Sequence, residues 1–119
     1  MTKDGQLVIE LGERAALARA VAHFKKGANT SVGSGDDAAV IRLSGPEFVV
    51  TTDTMIEGHD FRHEFSSGFD LGYKAVATNV ADVYAMGAKP VALVVAMTVT
   101  ATTTVFWLEA FARGLQACH

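Results

Sequence analysis

Residues 71–86 place the strongest constraint on the fold of this chain. They carry a helical pattern that is rich in alanine and apolar on nearly every face, with a single acid, Asp82, near the end. Such a helix has to be covered on several sides. Asp70 is suited to cap its start, and Gly87 followed by Pro90 is suited to end it. The sequence therefore predicts a helix over 71–86 that is buried on several sides.

Segments rich in strand-forming residues lie on both sides of this helix. Residues 38–43 and 48–54 precede it, residues 91–99 follow it, and each segment predicts a β-strand. Residues 44–47 have the composition of a turn. The first two strands are therefore expected to form a β-hairpin.

Two further helices are predicted toward the ends of the chain. Residues 13–26 carry apolar side chains at helical spacing and stop at Gly27, which begins a polar loop over 27–35. The last helix is expected to begin after one of the threonines at 102–104. The face that it should bury comprises Val105, Leu108, Ala112 and Leu115, with Trp107 close to Phe111. The order helix, strand, strand, helix, strand, helix is an α+β arrangement.

Composition and charge exclude several classes of protein. At 119 residues, half of them hydrophobic, the chain is one domain or less. Its net charge of -3 and the lack of a basic stripe give no reason to expect nucleic acid as a partner. Its longest apolar run is too short to cross a membrane. One cysteine excludes an internal disulfide framework and fits a reducing, cytoplasmic location. Because the sequence stops directly after a helical pattern, we expect residues 1–119 to be a single, truncated domain.

A cluster of acids follows the second predicted strand. The stretch 51–61, Thr-Thr-Asp-Thr-Met-Ile-Glu-Gly-His-Asp-Phe, brings Asp53, Glu57 and Asp60 close together in sequence, beside His59. Carboxylates that are brought together repel one another and lose hydration. The fold therefore has to supply either a cation or abundant water at this point.

Asp82 poses the same problem inside a helix predicted to be buried, where an uncompensated charge costs on the order of several kcal/mol. One interpretation is structural: Asp82 caps a loop or pairs with Arg42 or Arg62. In the other, it meets aspartates from other segments around Mg²⁺, a hard cation that carboxylates share with substrate phosphates. The oxygen ligands expected for this magnesium site are Asp36, Thr51, Thr52, Asp53 and Asp82.

Three other patterns carry less weight. Residues 33–38 formally match a dinucleotide-binding fingerprint, but a loop precedes them, β-branched residues follow, and no Lys-Ser or Lys-Thr of a phosphate-binding loop is present. His59 and His63 have a spacing that suits zinc on a helix, whereas the upstream signals are those of a strand. The aromatic residues within 106–111 have no basic residues interleaved, so a core or interface stripe is expected there.

Several short motifs, in order along the chain, resemble those of a known family. They are Gly35-Asp36-Asp37-Ala38-Ala39, Thr51-Thr52-Asp53-Thr54 followed by Glu57-Gly58, Lys74-Ala75, Asn79-x-x-Asp82, and Met86-Gly87-Ala88-x-Pro90. From about Gly33 to Val99 the chain closely resembles the thiamine-monophosphate kinases, which belong to the superfamily of aminoimidazole ribonucleotide synthetase. The matching order and separations make this resemblance specific, which no single motif would do.

The resemblance implies an N-terminal α+β domain with a mixed sheet and flanking helices, whose strands pair across a homodimer into a barrel with ATP held nearby. It implies Mg²⁺-dependent transfer of the γ-phosphoryl group of ATP to thiamine monophosphate, giving thiamine diphosphate without a covalent phospho-enzyme. Carried over by motif, the magnesium ligands are Asp36, Thr51, Thr52, Asp53 and Asp82.

The chain departs from the family pattern in two places. The family often has a substrate-contacting histidine two residues after the glycine at position 58; here Asp60 occupies that slot and His59 precedes it, so one of these two is expected to contact thiamine monophosphate. The chain also stops before the family's later Gly-Gly-Asp segment and its C-terminal domain.

Two alternative functions stay open on the sequence. The first is another ATP-using member of the superfamily, namely aminoimidazole ribonucleotide synthetase, selenophosphate synthetase or the hydrogenase-maturation dehydratase. Selenophosphate synthetase usually has a reactive Cys or selenocysteine near a Gly-rich loop, and none is found here. The second is a non-catalytic module for Mg²⁺ binding and dimerisation.

Overall fold

The computed structural model describes four parts of the chain: residues 5–24, 30–32, 39–53 and 67–118. The elements in chain order are α1 (Val8–Leu11), α2 (Glu13–Val21), β1 (Thr30–Val32), β2 (Val40–Ile41), α3 (Gly68–Ala85) and α4 (Val105–Cys118). Helices combined with a small antiparallel sheet agree with the predicted α+β class. The helix predicted over 13–26 is present as the shorter α2. Among the described residues, no helix is both long and apolar enough to span a membrane.

The residue that caps the start of α3 is not the one predicted. Ser67 Oγ accepts a hydrogen bond from the backbone N–H of Asp70 (3.1 Å), so Ser67 is the cap and the prediction of Asp70 was wrong. Asp70 instead lies in the first turn, where its negative charge faces the positive end of the helix dipole. The predicted stop is confirmed, because the chain leaves α3 through Gly87, whose φ of 77° favours glycine.

The start of α4 agrees with the prediction. Thr104 Oγ1 accepts a hydrogen bond from the backbone N–H of Trp107 (3.0 Å), as expected for a capping threonine. The Trp107 ring stacks on Phe111 with centroids 5.5 Å apart and planes at 16°. The face predicted to be buried is confirmed, with Val105, Ala112 and Leu115 buried and Leu108 half-buried.

Glycines bring α3 and α4 into direct contact. A Cβ atom added to Gly72 would overlap the backbone carbonyl of Phe111, and one added to Gly114 would overlap that of Phe69. Gly68 is similarly restricted by the backbone of α4. Backbone therefore packs on backbone at this crossing. The buried apolar cluster beside it consists of Leu71, Val76, Phe111 and Leu115.

In this chain α3 is buried mainly along one face. Its buried residues are Gly68, Leu71, Gly72 and Val76, all in its first half. From residue 77 to the end of the helix, the side chains are exposed or half-buried. The prediction that the helix is covered on several sides was wrong for this chain. The physical reason is that, among the described elements, only α4 packs extensively on α3.

The two strands form an antiparallel pair in which Thr30 lies opposite Ile41 and Val32 lies opposite Val40. β2 falls within the strand predicted over 38–43, so this prediction is confirmed in part. β1 falls in a segment that was predicted to be a polar loop, and that prediction was wrong. A three-residue strand gives little hydrophobic alternation, which explains why the pattern did not indicate it.

The other two predicted strands are not formed among the residues that the structure describes. Residues 47–53 and 91–100 belong to no helix or strand. The hairpin predicted between 38–43 and 48–54 was therefore wrong, since β2 pairs with the preceding β1. A strand exists only where a neighbour completes its hydrogen-bonding ladder, and no described residue does so for either segment.

The N-terminal helices pack on the beginning of α4. The backbone N–H of Val8 donates to the carbonyl of Thr103 (2.8 Å), and the N–H of Val105 donates to the carbonyl of Gln6 (2.7 Å). Val8 and Val105 also form a second buried cluster with Ala16. These contacts fix the residue at which α4 begins.

Replacing Gly72 with alanine is expected to destabilise the protein, although alanine is intrinsically favoured over glycine in a helix by about 1 kcal/mol. The added Cβ atom would overlap the carbonyl group of Phe111, and forcing the two helices apart costs about 1–3 kcal/mol. Urea or thermal unfolding should therefore show a lower free energy of unfolding for Gly72→Ala.

Gly45→Ala is the matched control, because no atom lies within 4 Å of the position that a Cβ would occupy there. Its stability should change little. An unchanged or raised stability in Gly72→Ala would contradict the direct contact between α3 and α4.

Candidate metal and phosphate site

Four of the five residues predicted to hold magnesium lie in two described parts of the chain. Thr51, Thr52 and Asp53 end the segment 39–53, and Asp82 lies in the last turn of α3. Thr51 is half-buried, whereas the other three are exposed. The remaining predicted site residues, Asp36, His59 and Asp60, lie outside the described residues. The convergence of the three aspartates therefore stays a prediction.

Asp82 is exposed, so the expectation of a buried carboxylate was wrong. Within the described part of the chain no ion pair reaches Asp82, so the alternative pairing with Arg42 is not formed. Arg62, the other alternative partner, lies outside the described residues. Water solvates the carboxylate, which removes the large desolvation cost inferred from the helical pattern. The Asp82 carboxylate is accessible to a ligand from solvent.

The electrostatics at the C-terminal end of α3 favour a cation. The helix dipole places partial negative charge at this end, and α3 has no basic residue in its last turn. Asp82 adds a full negative charge, a placement that costs about 0.3–1 kcal/mol at exposed sites. A divalent cation bound by Asp82 would convert this repulsion into attraction.

Asn79 lies one turn before Asp82 on the same side of α3. Its side-chain Nδ2 donates a hydrogen bond to the carbonyl of Ala75 (2.7 Å), which holds the amide group in one orientation. Asn79 is half-buried. The Asn79-x-x-Asp82 motif therefore combines a fixed amide with an exposed carboxylate.

The chemistry of the described donors fits a hard cation. Asp53 and Asp82 offer carboxylates, and Thr51 and Thr52 offer hydroxyl or backbone oxygens. Mg²⁺ prefers such oxygen ligands, whereas zinc and softer metals prefer thiolate and imidazole. Within the described residues no three His, Cys, Asp or Glu side chains gather closely enough to hold a metal. The donors at residues 51–53 and the carboxylate of Asp82 would therefore need further ligands to complete a metal site.

The structure adds a threonine-rich turn that the sequence analysis treated only as a source of helix caps. A surface depression of about 360 Å³ is lined by Thr100, Thr102, Thr103, Thr104 and Trp107. Thr100 Oγ1 lies 3.1 Å from the hydroxyls of both Thr102 and Thr103, and Thr103 Oγ1 accepts from the backbone N–H of Thr100 (2.9 Å). Because these hydroxyls bond to one another and to the backbone, their role in the described structure is to hold the turn that leads into α4.

Comparison with known proteins agrees with the resemblance inferred from the motifs. Residues 35–119 match the family described as AIR synthase related protein, N-terminal domain. Thiamine-monophosphate kinases of Mycobacterium tuberculosis and Corynebacterium glutamicum are each 37% identical to the chain, over 96% and 95% of its length. That of Rhodopirellula baltica is 43% identical over 60% of it. The chain spans 36%, 33% and 25% of the lengths of these three relatives. No solved structure matches.

Replacing Asp82 with asparagine is expected to leave the fold intact and to raise the free energy of unfolding by up to about 1 kcal/mol, because it removes negative charge from the negative end of α3. Thermal unfolding in metal-free, low-salt buffer measures this change. Asp70→Asn should have the opposite effect on stability. Asp70 lies at the positive end of the same helix, so removing its negative charge should lower the free energy of unfolding.

A structural role for Asp82 would give the reverse outcome. A loss of more than about 2 kcal/mol in Asp82→Asn is the scale of a broken buried contact and would contradict the exposed placement of the carboxylate.

Proposed function

Because the chain belongs to the family of AIR synthase related proteins, as their N-terminal domain, we propose that it forms the magnesium- and nucleotide-binding part of a thiamine-monophosphate kinase. The reaction is the transfer of the γ-phosphoryl group of ATP to thiamine monophosphate, giving thiamine diphosphate. The observation that carries the proposal is the 37% identity to proteins of that name over 96% of the chain. Since the chain spans about a third of those relatives, the activity is proposed for the whole protein.

In this proposal the ligands come from separate segments of the chain. Asp53 follows the threonine pair Thr51 and Thr52, and Asp82 lies in the last turn of α3, so their oxygens would approach the metal from different parts of the chain. Asp36 supplies the third carboxylate. The exposure of Asp53 and Asp82 supports this role, because their carboxylates are accessible to solvent and hence to a cation and nucleotide.

The chemistry requires positive charge between two anionic substrates. ATP and thiamine monophosphate both carry phosphates, so bringing them together is opposed by electrostatic repulsion. Mg²⁺ bound at this site supplies charge neutralisation and orientation for an in-line transfer. The aspartates are not chemically modified during the transfer. They are ligands and not nucleophiles, so no phospho-enzyme forms.

The acceptor substrate is the finer part of the proposal. His59 or Asp60 is proposed to contact thiamine monophosphate, from the position of these residues after Gly58 in the shared motif. Other ATP-using members of the superfamily act on different acceptors. A screen of the whole protein that follows ADP release with thiamine monophosphate, and with the acceptors of those other enzymes, separates the candidates. Release with another acceptor alone would assign a different member of the superfamily.

We also propose that the protein is a cytoplasmic homodimer in which residues 47–53 and 91–100 pair with a second copy. Both segments are rich in strand-forming residues and lack a ladder partner in the described chain. Their apolar side chains are exposed, by 66% at Phe48, 70% at Val50 and 93% at Val94. Pairing across a dimer would complete the hydrogen-bonding ladder and bury these side chains.

Asp53→Asn and Asp82→Asn are each expected to abolish kinase activity in the whole protein while leaving it folded. Asparagine keeps the size of the side chain but removes the negative charge that binds the metal. The measurement is ADP release at saturating Mg²⁺ and ATP, with circular dichroism to verify the fold.

Glu13→Gln is the control, because Glu13 is an exposed acid on α2 that belongs to no predicted ligand set and lies outside both proposed interface segments. It should retain normal turnover. Normal turnover in either aspartate variant would remove that residue from the magnesium site.

Val94→Lys is expected to convert the dimer to monomer, because it places a charge in the centre of the proposed interface, where burial without a partner is costly. Sedimentation velocity measures the change in mass. Leu17→Lys on α2 is the control, since Leu17 is 59% exposed and lies outside both proposed interface segments. A Val94→Lys protein with the mass of the unmodified protein would refute the proposed interface.

A further inference from the structure

The N-terminal helices are attached to the rest of the fold through one neighbour. Among the described elements, α1 and α2 contact each other and α2 packs on α4, while neither makes an extensive contact with α3. We call residues 5–24, which contain both helices, the N-terminal strap. Its position on α4 is separate from the direct contact between α3 and α4.

Glu109 of α4 holds the strap through both of its carboxylate oxygens. Oε2 lies 3.6 Å from a guanidinium nitrogen of Arg19, and Oε1 lies 3.1 Å from Nε2 of His23. The two partners are one helical turn apart at the end of the strap. The Glu109 side chain is 22% exposed, so water weakens these contacts less than it would on an open surface.

The apolar contribution to docking of the strap is confined to a small cluster, in which Val8 and Ala16 pack against Val105 of α4. The residues that the strap buries are Val8, Ala16 and Ala20, two of them alanines. Its larger apolar side chains face outward, with Ile9 61% and Leu17 59% exposed. Because hydrophobic stabilisation scales with the apolar area removed from water, polar contacts carry an unusual share of the attachment.

The strap also occupies the start of α4. Its Gln6 carbonyl accepts the N–H of Val105, and its Val8 N–H donates to the carbonyl of Thr103. Undocking the strap would break both hydrogen bonds and expose Val105, which is fully buried when the strap is in place. The turn that connects residues 91–100 to α4 would then lose its support.

We propose that the N-terminal strap docks and undocks as a unit while α3 and α4 stay together, and that Glu109 sets the docking equilibrium. Local opening of this kind occurs in parts of a fold that have few buried apolar contacts. Docking fixes the start of α4, and undocking loosens the turn at 100–104. The strap is thus a conformational device, and this inference does not rest on the proposed kinase activity.

Hydrogen exchange followed by mass spectrometry on the whole protein tests the proposal. Glu109→Ala removes both contacts and keeps a good helix former in α4. Amides of residues 8–20 should then exchange about five- to tenfold faster, the effect of losing one or two partly exposed charge contacts. Amides of residues 71–80 in α3 should exchange at their original rates.

Three further variants make the result specific. Arg19→Ala should accelerate the same strap amides to a smaller extent, and combining it with Glu109→Ala should add little, because both changes remove one shared contact. Lys89→Ala removes an exposed charge outside the strap and outside both proposed interface segments, and it should change nothing.

Two outcomes would overturn the proposal. Equal acceleration in the strap and in α3 would mean that they open as one cooperative unit. Unchanged exchange in the strap of both Glu109→Ala and Arg19→Ala would mean that Glu109 does not set the docking equilibrium.

Discussion

The direct contact between the backbones of α3 and α4 is the constraint on which the rest of the described fold depends. Gly72 and Gly114 leave no side chain between the two longest helices, and the apolar residues around this crossing form the main buried cluster. Each helix then carries a different part of the protein. α3 carries the carboxylate of Asp82 in its last turn, and α4 begins where the N-terminal strap is attached. A change that separates the helices would displace both.

The helices could be predicted from the sequence because their signals are local. A capping threonine before Val105 and Gly87 after α3 lie within a few residues of the ends that they determine. The cap of α3 was assigned to Asp70 because serine and aspartate three residues apart both offer a suitable oxygen, and only the structure shows that Ser67 accepts the bond. Strands depend on distant partners, which explains why residues 47–53 and 91–100 have strand composition but no strand structure in a single chain.

Residue types and motif order predict the chemistry of the candidate site but not its surroundings. Oxygen donors at Asp53 and Asp82 indicate a hard cation whatever the surrounding fold. The exposure of Asp82 could not be predicted, because a helical pattern shows how many neighbours are apolar but not how many sides another element covers. The contact between Glu109 and His23 was also beyond sequence reasoning, since the two residues are 86 positions apart and no motif joins them.

The hydrogen bonds at the starts of the two long helices limit how the described part of the protein can attract phosphate groups. Anions commonly bind to unpaired N–H groups at the positive pole of a helix. In α3 that pole is occupied by the Ser67 hydroxyl and faced by the carboxylate of Asp70, and in α4 carbonyl and hydroxyl oxygens of Gln6 and Thr104 already accept N–H groups there. Neither pole is well placed to receive a polyphosphate, so its attraction to these two helices has to come from bound cations or basic side chains.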